Sequence, residues 1–496
     1  MLEDEELEDD DLEDEDEELE DDDSEDEDEE LEDDDSEDED EELEDDDSDE
    51  DDEDDSDQDE DEEDRRLYRR KRRIRNQIIS YSVVAVILAA IAAGGVMAGR
   101  SIAAIVKEKK LAEEQARLAE EQEAEAAHDV VIDAPEPIIE EEPEEDYLGT
   151  LVANVLSDMT LEDKVAGLFV VTPEALTGVK TATQAGEGTQ EALNKYAVGG
   201  LIYFEHNIVD KEQITQMLSS TTAKSRYPLF LAVDEEGGSV SRVAKSGIDV
   251  IQVGDMAQIG ASGDSAQAYE AGLNIGSYLN ELGFNLDFAP VADVAGSENS
   301  AIGDRSFGSD AQLVGEMVAN VVGGMEGTGV SSCLKHFPGL GDTTDDTHDG
   351  RVEITKTLDE MRATDFIPFK AGIDAGADFV MVSHATMSAV EGDAVPSSMS
   401  RTVMTDILRN ELGFQGIIIT DALNMGAITE YYTSEEAVIM AVEAGADMLL
   451  MPEDFETAYN ALLTAVQDGT ISEERINESL ERIYRIKCAG QLNSTS

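Results

Sequence analysis

The sequence predicts an α/β protein whose folded part is a (β/α)8 TIM-type barrel, preceded by a disordered acidic tail, one transmembrane helix and a helical stalk. Three observations carry that reading. Eight short apolar runs recur: "VAGLFVV" (165–171), "GGLIYF" (199–204), "PLFLAVD" (228–234), "FNLDFAPV" (284–291), "GVSSCLKH" (329–336), "ADFVMVSH" (377–384), "GIIITDA" (416–422) and "ADMLLM" (446–451). They are nearly continuous in apolar residues rather than alternating, as parallel strands covered on both faces require. Helical patterns separate most of them, such as "SAQAYEAGLNIGSYLNELG" (265–283) and "SRTVMTDILRNELGF" (400–414). Eight such units suit a barrel. A doubly wound sheet is the competing arrangement, weakened because no dinucleotide-type glycine fingerprint follows the first run.

The elements follow in chain order. The chain has 496 residues and a formal net charge of −87. Residues 1–64 hold 52 Asp/Glu and no Lys/Arg, with "ELEDDDSEDEDE" recurring at a period of twelve. One leucine per repeat cannot build a buried face, and like charges keep such a segment expanded, so a disordered tail is expected. A cation or a basic partner is the chemistry such a tail would attract. Residues 65–77 form a basic juxtamembrane segment with eight Lys/Arg between Arg65 and Arg75. Residues 78–98 then run 21 positions without a charge, long enough to span a bilayer core as a helix. Eight Lys/Arg precede that stretch and four follow it, Arg100, Lys107, Lys109 and Lys110. The bias predicts a single-pass cell-membrane protein with a cytoplasmic N-terminus and the rest of the chain outside. Residues 99–146 read as an Ala/Glu/Lys-rich stalk and a Pro/Glu linker containing His128. The barrel occupies 147–496.

Several functions are excluded by composition. Beyond residue 64 the chain carries 68 acidic and 33 basic residues, a net of −35 without a broad basic face. Nucleic-acid binding is therefore not expected. Two cysteines, Cys333 and Cys488, make neither a disulfide framework nor a cysteine-type zinc site. The chemistry sits instead at the ends of the apolar runs: Asp234, Asp293, Lys335 and His336, His384, and Asp421. In a barrel these C-terminal strand ends converge on one mouth, where active sites form. The stretch "KHFPGLGDTTDDTHDG" (335–350) adds two histidines and four aspartates. His336, Asp346 and His348 could instead hold a metal. They lack the usual ligand spacing, however, and two of them lie in a loop. His206 reads as structural or solvent-facing.

The stretches "VDEEGG" (233–238), "NLDFAPVADV" (285–294), "IGDRSFG" (302–308), "KHFPGLGDT" (335–343), "DTH" (346–348) and "ITDALNM" (419–425) resemble glycoside hydrolase family 3, in its bacterial β-N-acetylglucosaminidase branch. The resemblance runs over roughly residues 150–485. It implies a barrel that removes terminal β-linked N-acetylglucosamine, with retention, from cell-wall glycan fragments, without a cofactor or metal. By position, Asp421 is implied as the nucleophile, His348 as general acid/base and Asp346 as its orienting partner. Asp234, Arg242, Arg305, Lys335 and His336 are implied as the groups that hold the sugar. Their chemistry suits these roles. A carboxylate can attack the anomeric carbon, histidine can both give and take a proton near neutral pH, and cations can donate to hydroxyls. Leu340, Ser239 and Glu235 depart from residues common in the family at those positions. Two alternatives keep the fold: a phosphorylase releasing sugar 1-phosphate, and an inactive wall-binding scaffold.

Overall fold

The structure, a computed structural model of the chain, describes residues 146–296, 302–341, 343, 350–391 and 395–494. Its eight-stranded sheet is parallel throughout. Each of its strands falls within one of the eight apolar runs, except that β7 extends one residue past its run: β1 (Phe169–Val171), β2 (Gly200–Ile202), β3 (Phe230–Val233), β6 (Leu286–Asp287), β7 (Ser331–Phe337), β8 (Phe379–Val382), β9 (Ile417–Thr420) and β10 (Leu449–Leu450). The order is β10-β1-β2-β3-β6-β7-β8-β9. Closure between β9 and β10 comes from the Ile419–Met448 bridge and the Thr420 N–H donating to the Met448 carbonyl at 3.1 Å. A short antiparallel hairpin, β4 (Glu235–Gly237) with β5 (Val240–Ser241), stands apart from the barrel sheet.

Helices alternate with the strands. The outer ring includes α1 (Lys211–Lys224), α2 (Ser265–Leu282), α3 (Ala311–Met325), α4 (Phe366–Asp374), α5 (Thr402–Glu411), α6 (Ser434–Ala444), α7 (Phe455–Gln467) and α8 (Glu473–Ser494). Their starts are written locally. Asp210, Asp264, Asp310 and Asp454 each precede a helix and accept a first-turn amide hydrogen bond, satisfying an otherwise orphaned donor. The helix α5 is wound more widely than an α-helix, and its end shows this where the Leu412 N–H reaches the Ile407 carbonyl. The helices α2 and α3 approach so closely that a Cβ at Gly272 would lie 2.2 Å from the Val321 carbonyl oxygen.

Aromatic side chains mark the barrel interior. Phe230 of β3 and Phe379 of β8 meet edge to face at 5.0 Å. Their strands are not neighbours in the sheet, so the rings meet across the barrel. Both cysteines are buried and free.

The expected fold class needs correction in its membrane part. Among the described residues, no helix is long and apolar enough to cross a membrane. Their apolar residues are instead shared among short strands and helices that pack onto the barrel, and the longest helix, α8, is dense in charge. The acidic tail, the span expected at 78–98 and the stalk lie outside the described residues. So does every residue on which the expected membrane orientation rests.

Candidate active site

At the C-terminal ends of the strands opens a cavity of about 530 Å³. Six residues singled out in the sequence line it: Asp234, Arg242, Arg305, Lys335, His336 and Asp421. They come from three strand ends and two following loops, as barrel geometry dictates. Asp346 and His348 lie outside the described residues. Among the described residues, no group of three or more His, Cys, Asp or Glu side chains is arranged to hold a metal ion.

Asp421 follows β9. Its own N–H donates to the Val382 carbonyl at 2.8 Å, and its carboxylate accepts the Ala422 N–H at 2.8 Å. Burial alone would push its pKa up. The imidazoles of His384 and His336, the Ala422 amide and the Lys335 ammonium more than offset that, so the group is held below the usual carboxylate value. Asp421 is thus ionised through neutral and mildly acidic pH. His384 is fixed beneath it, with Nδ1 at 2.8 Å from the Ser398 hydroxyl and Nε2 donating to the Ala422 carbonyl at 2.8 Å.

Opposite lies a charge cluster. The Lys335 ammonium, 3% exposed, donates to Asp234 at 2.8 Å and reaches Glu236 at 2.6 Å. Arg305 grips Glu236 with two nitrogens, Nε to Oε2 and Nη2 to Oε1, both at 2.8 Å. Burial alone would raise the Glu236 carboxyl; Lys335 and Arg305 override it and hold it down at about 2. Burial likewise disfavours the charge on Lys335, and Asp234 and Glu236 reverse the sign, raising it. Arg242 sits at the rim, its Nη2 at 3.9 Å from Asp234 and its guanidinium 5.7 Å above the Phe204 ring.

His336 joins the cluster to the loop beyond β7. Its Nδ1 lies 2.7 Å from Asp293 Oδ2 and its Nε2 lies 3.3 Å from Arg305 Nη2. Arg305 can only donate, so a neutral ring there carries its proton on Nδ1 and its lone pair on Nε2. Asp293 also accepts the N–H groups of His336 at 3.1 Å and Leu340 at 2.6 Å. One buried carboxylate therefore fixes both the ring and the chain at Leu340, just beyond β7.

Sequence reasoning missed Glu236. The strand pattern stops at Val233, and "EEGG" reads as a turn. A signal did exist: Glu236 lies two positions after Asp234, and alternation sends such residues to the same side of an extended chain. His206 stacks on Phe204 and is 55% exposed, as a surface residue would be.

The chemistry available is that of a sugar-sized cup: a floor of paired cations and carboxylates for hydroxyl groups, and one ionised carboxylate beside it. Comparison with known proteins leads the same way. The family model described as "Glycosyl hydrolase family 3 N terminal domain" matches residues 160–486. Beta-hexosaminidase A of Pseudoalteromonas piscicida is 34% identical over 327 residues, 60% of this chain and 54% of that protein. The Beta-hexosaminidase of Stenotrophomonas maltophilia (strain K279a) is 35% identical over 276 residues, 54% of this chain and 81% of its own. A solved glycoside hydrolase family 3 beta-N-acetylglucosaminidase from Paenibacillus sp. str. FPU-7 superposes with a TM-score of 0.63 at 35% identity, covering 67% of this chain and 63% of that one. The chain thus spans about half the length of the Pseudoalteromonas relative and under two thirds of the Paenibacillus structure.

Proposed function

The chain belongs to glycosyl hydrolase family 3, and from that premise we propose that it is a retaining exo-β-N-acetylglucosaminidase acting on terminal β-linked N-acetylglucosamine of cell-wall glycan fragments. The observation that carries the reading is Asp421, an ionised carboxylate at a strand end, facing the same cavity as Asp234, Arg305, Lys335 and His336. The hexosaminidase and β-N-acetylglucosaminidase names of the relatives support the choice of sugar.

The reaction follows from these groups. Asp421 attacks the anomeric carbon as the glycosidic bond breaks, giving a glycosyl-enzyme ester. His348, oriented by Asp346, gives its proton to the leaving oxygen and then takes one from the water that hydrolyses the ester. Asp234 accepts from the sugar's hydroxyls, while Arg242, Arg305 and Lys335 donate to them. Because Lys335 and Arg305 are already held by Glu236 and Asp234, no reorganisation is needed when the sugar arrives.

Replacing Asp421 by Asn removes the attacking charge while keeping the shape. Turnover of an aryl β-N-acetylglucosaminide should fall at least a thousandfold, on the order of 4 kcal/mol or more in barrier; unchanged turnover would refute the assignment. Incubation with GlcNAc–MurNAc fragments should release free N-acetylglucosamine. Release of its 1-phosphate, in the presence of phosphate only, would make the chain a phosphorylase instead.

A further inference from the structure

Two buried carboxyl groups behind the sugar cup take no part in the reaction above. Glu235 and Asp287 are both 0% exposed. Glu235 accepts the Val243 N–H at 2.7 Å on one oxygen, and the Ala244 N–H and the Tyr278 hydroxyl, each at 2.9 Å, on the other. Asp287 accepts the Glu235 N–H at 2.8 Å on Oδ1, while its Oδ2 is buried with no hydrogen-bond partner. Burying a carboxyl group is costly unless its hydrogen bonds repay it. Here those bonds go almost wholly to backbone amides of one turn.

The turn matters for what flanks it. Glu235 directly follows Asp234, and Val243 directly follows Arg242. The β4–β5 hairpin bridges them, and the Arg242 N–H donates to the Asp234 carbonyl at 3.3 Å. Asp234 and Arg242 both line the cavity, and the Arg242 Nε is buried without a partner. Arg242 is thus held by its backbone more than by its own head group.

We propose that Glu235 is a positioning residue that sets the spacing of Asp234 and Arg242, and thereby the affinity for the terminal sugar, with Asp287 fixing Glu235 in turn. This rests on the assignment of Asp234 and Arg242 to sugar binding. In this chain both side-chain oxygens accept N–H donors, a pattern that a carboxylate satisfies in full. An amide would turn its own NH2 toward either Val243 or Ala244.

The test is steady-state kinetics on an aryl β-N-acetylglucosaminide, with a thermal midpoint for each variant. Glu235→Gln should raise KM about tenfold with kcat within about twofold, the loss of one good hydrogen bond. Glu235→Ala should raise it further. Asp287→Ala should also raise KM, and Asp287→Asn should restore most of it, because an amide oxygen can accept the same N–H. A merely structural role would lower the thermal midpoint and the active fraction, but not the KM of molecules still folded. Active wild type with an unchanged KM in Glu235→Gln overturns the proposal alone. Wild type with no turnover overturns the functional reading, and this one with it.

Discussion

Glu236 holds two cations at once, and neutralising it leaves one of them facing an amide instead of a carboxylate. In Glu236→Gln the amide oxygen can keep one of Lys335 and Arg305, while its NH2 faces the other. Removing one partner of a buried ion pair costs about 3 kcal/mol or more. The variant should lose stability on that scale in urea denaturation and bind the sugar more weakly, seen as a raised KM. A variant as stable as wild type would mean that the cluster is hydrated rather than clamped. The same residue shows where sequence reading ended. Asp234, Lys335, His336 and Asp421 could be found because each follows an apolar run, so strand geometry alone places it at the mouth. Arg305 was found through its motif "IGDRSFG" and not through periodicity. Glu236 lies inside the motif "VDEEGG", but it follows no apolar run and the motif alone gave it no role. The partnership of Asp293 with His336 needed coordinates, since 43 residues separate them.

Strands and helices were easier to read than their boundaries and exceptions. All eight apolar runs contain a barrel strand, yet the strands occupy as few as two residues of a run, as in β6 and β10. Hydropathy records burial, and loops packed into a barrel end are buried as well. The β4–β5 hairpin was invisible for the opposite reason, since "EEGGSVS" has no apolar alternation. The contact between α2 and α3 offers a test at this scale. Gly272 and Gly324 are interfacial: a Cβ at the first would meet the Val321 carbonyl oxygen at 2.2 Å, and at the second the Tyr269 carbonyl oxygen at 2.1 Å. Backbone cannot rotate away as a side chain can. Gly272→Ala, which in an exposed helix would be stabilising, should here destabilise by about 1–3 kcal/mol. A lowered thermal midpoint with KM unchanged would place the damage in helix packing. A raised midpoint would show that the two helices can slide apart freely.

The two ends of the barrel are built differently, and the far end carries a pH signature. Opposite the sugar cup, the C-terminal helix α8 brings Lys487 under the barrel. Its ammonium donates to the Gly199 carbonyl at 2.7 Å and lies 4.7 Å and 5.1 Å from the Phe230 and Tyr484 ring centres. Burial, only slightly opposed by Cys488, pulls it down to about 7 from an ordinary 10.5. The folded value is therefore the lower one. Below about pH 7 both folded and unfolded chains hold the proton, and the burial cost is present in full. Between pH 7 and 10.5 the unfolded chain still binds a proton that the folded chain has released, so stability rises with pH across that window. Burial raises Tyr203, Tyr278 and Tyr484 instead, and tyrosines titrate only near pH 10 and above. The buried thiols of Cys333 and Cys488 are raised too, but wild type and a Lys487→Met variant both carry them, so the comparison between the two isolates Lys487. Lys487→Met keeps the stem and loses the charge, along with the bond to Gly199. Urea midpoints of the two proteins at pH 6, 7.5 and 9 should separate the effects. The lost bond is a constant offset. On top of it, wild type should gain on the variant by roughly 1 kcal/mol per pH unit above pH 7. A difference that stays flat from pH 6 to 9 would mean that Lys487 keeps its proton, held by the carbonyl and the two rings against the cost of burial.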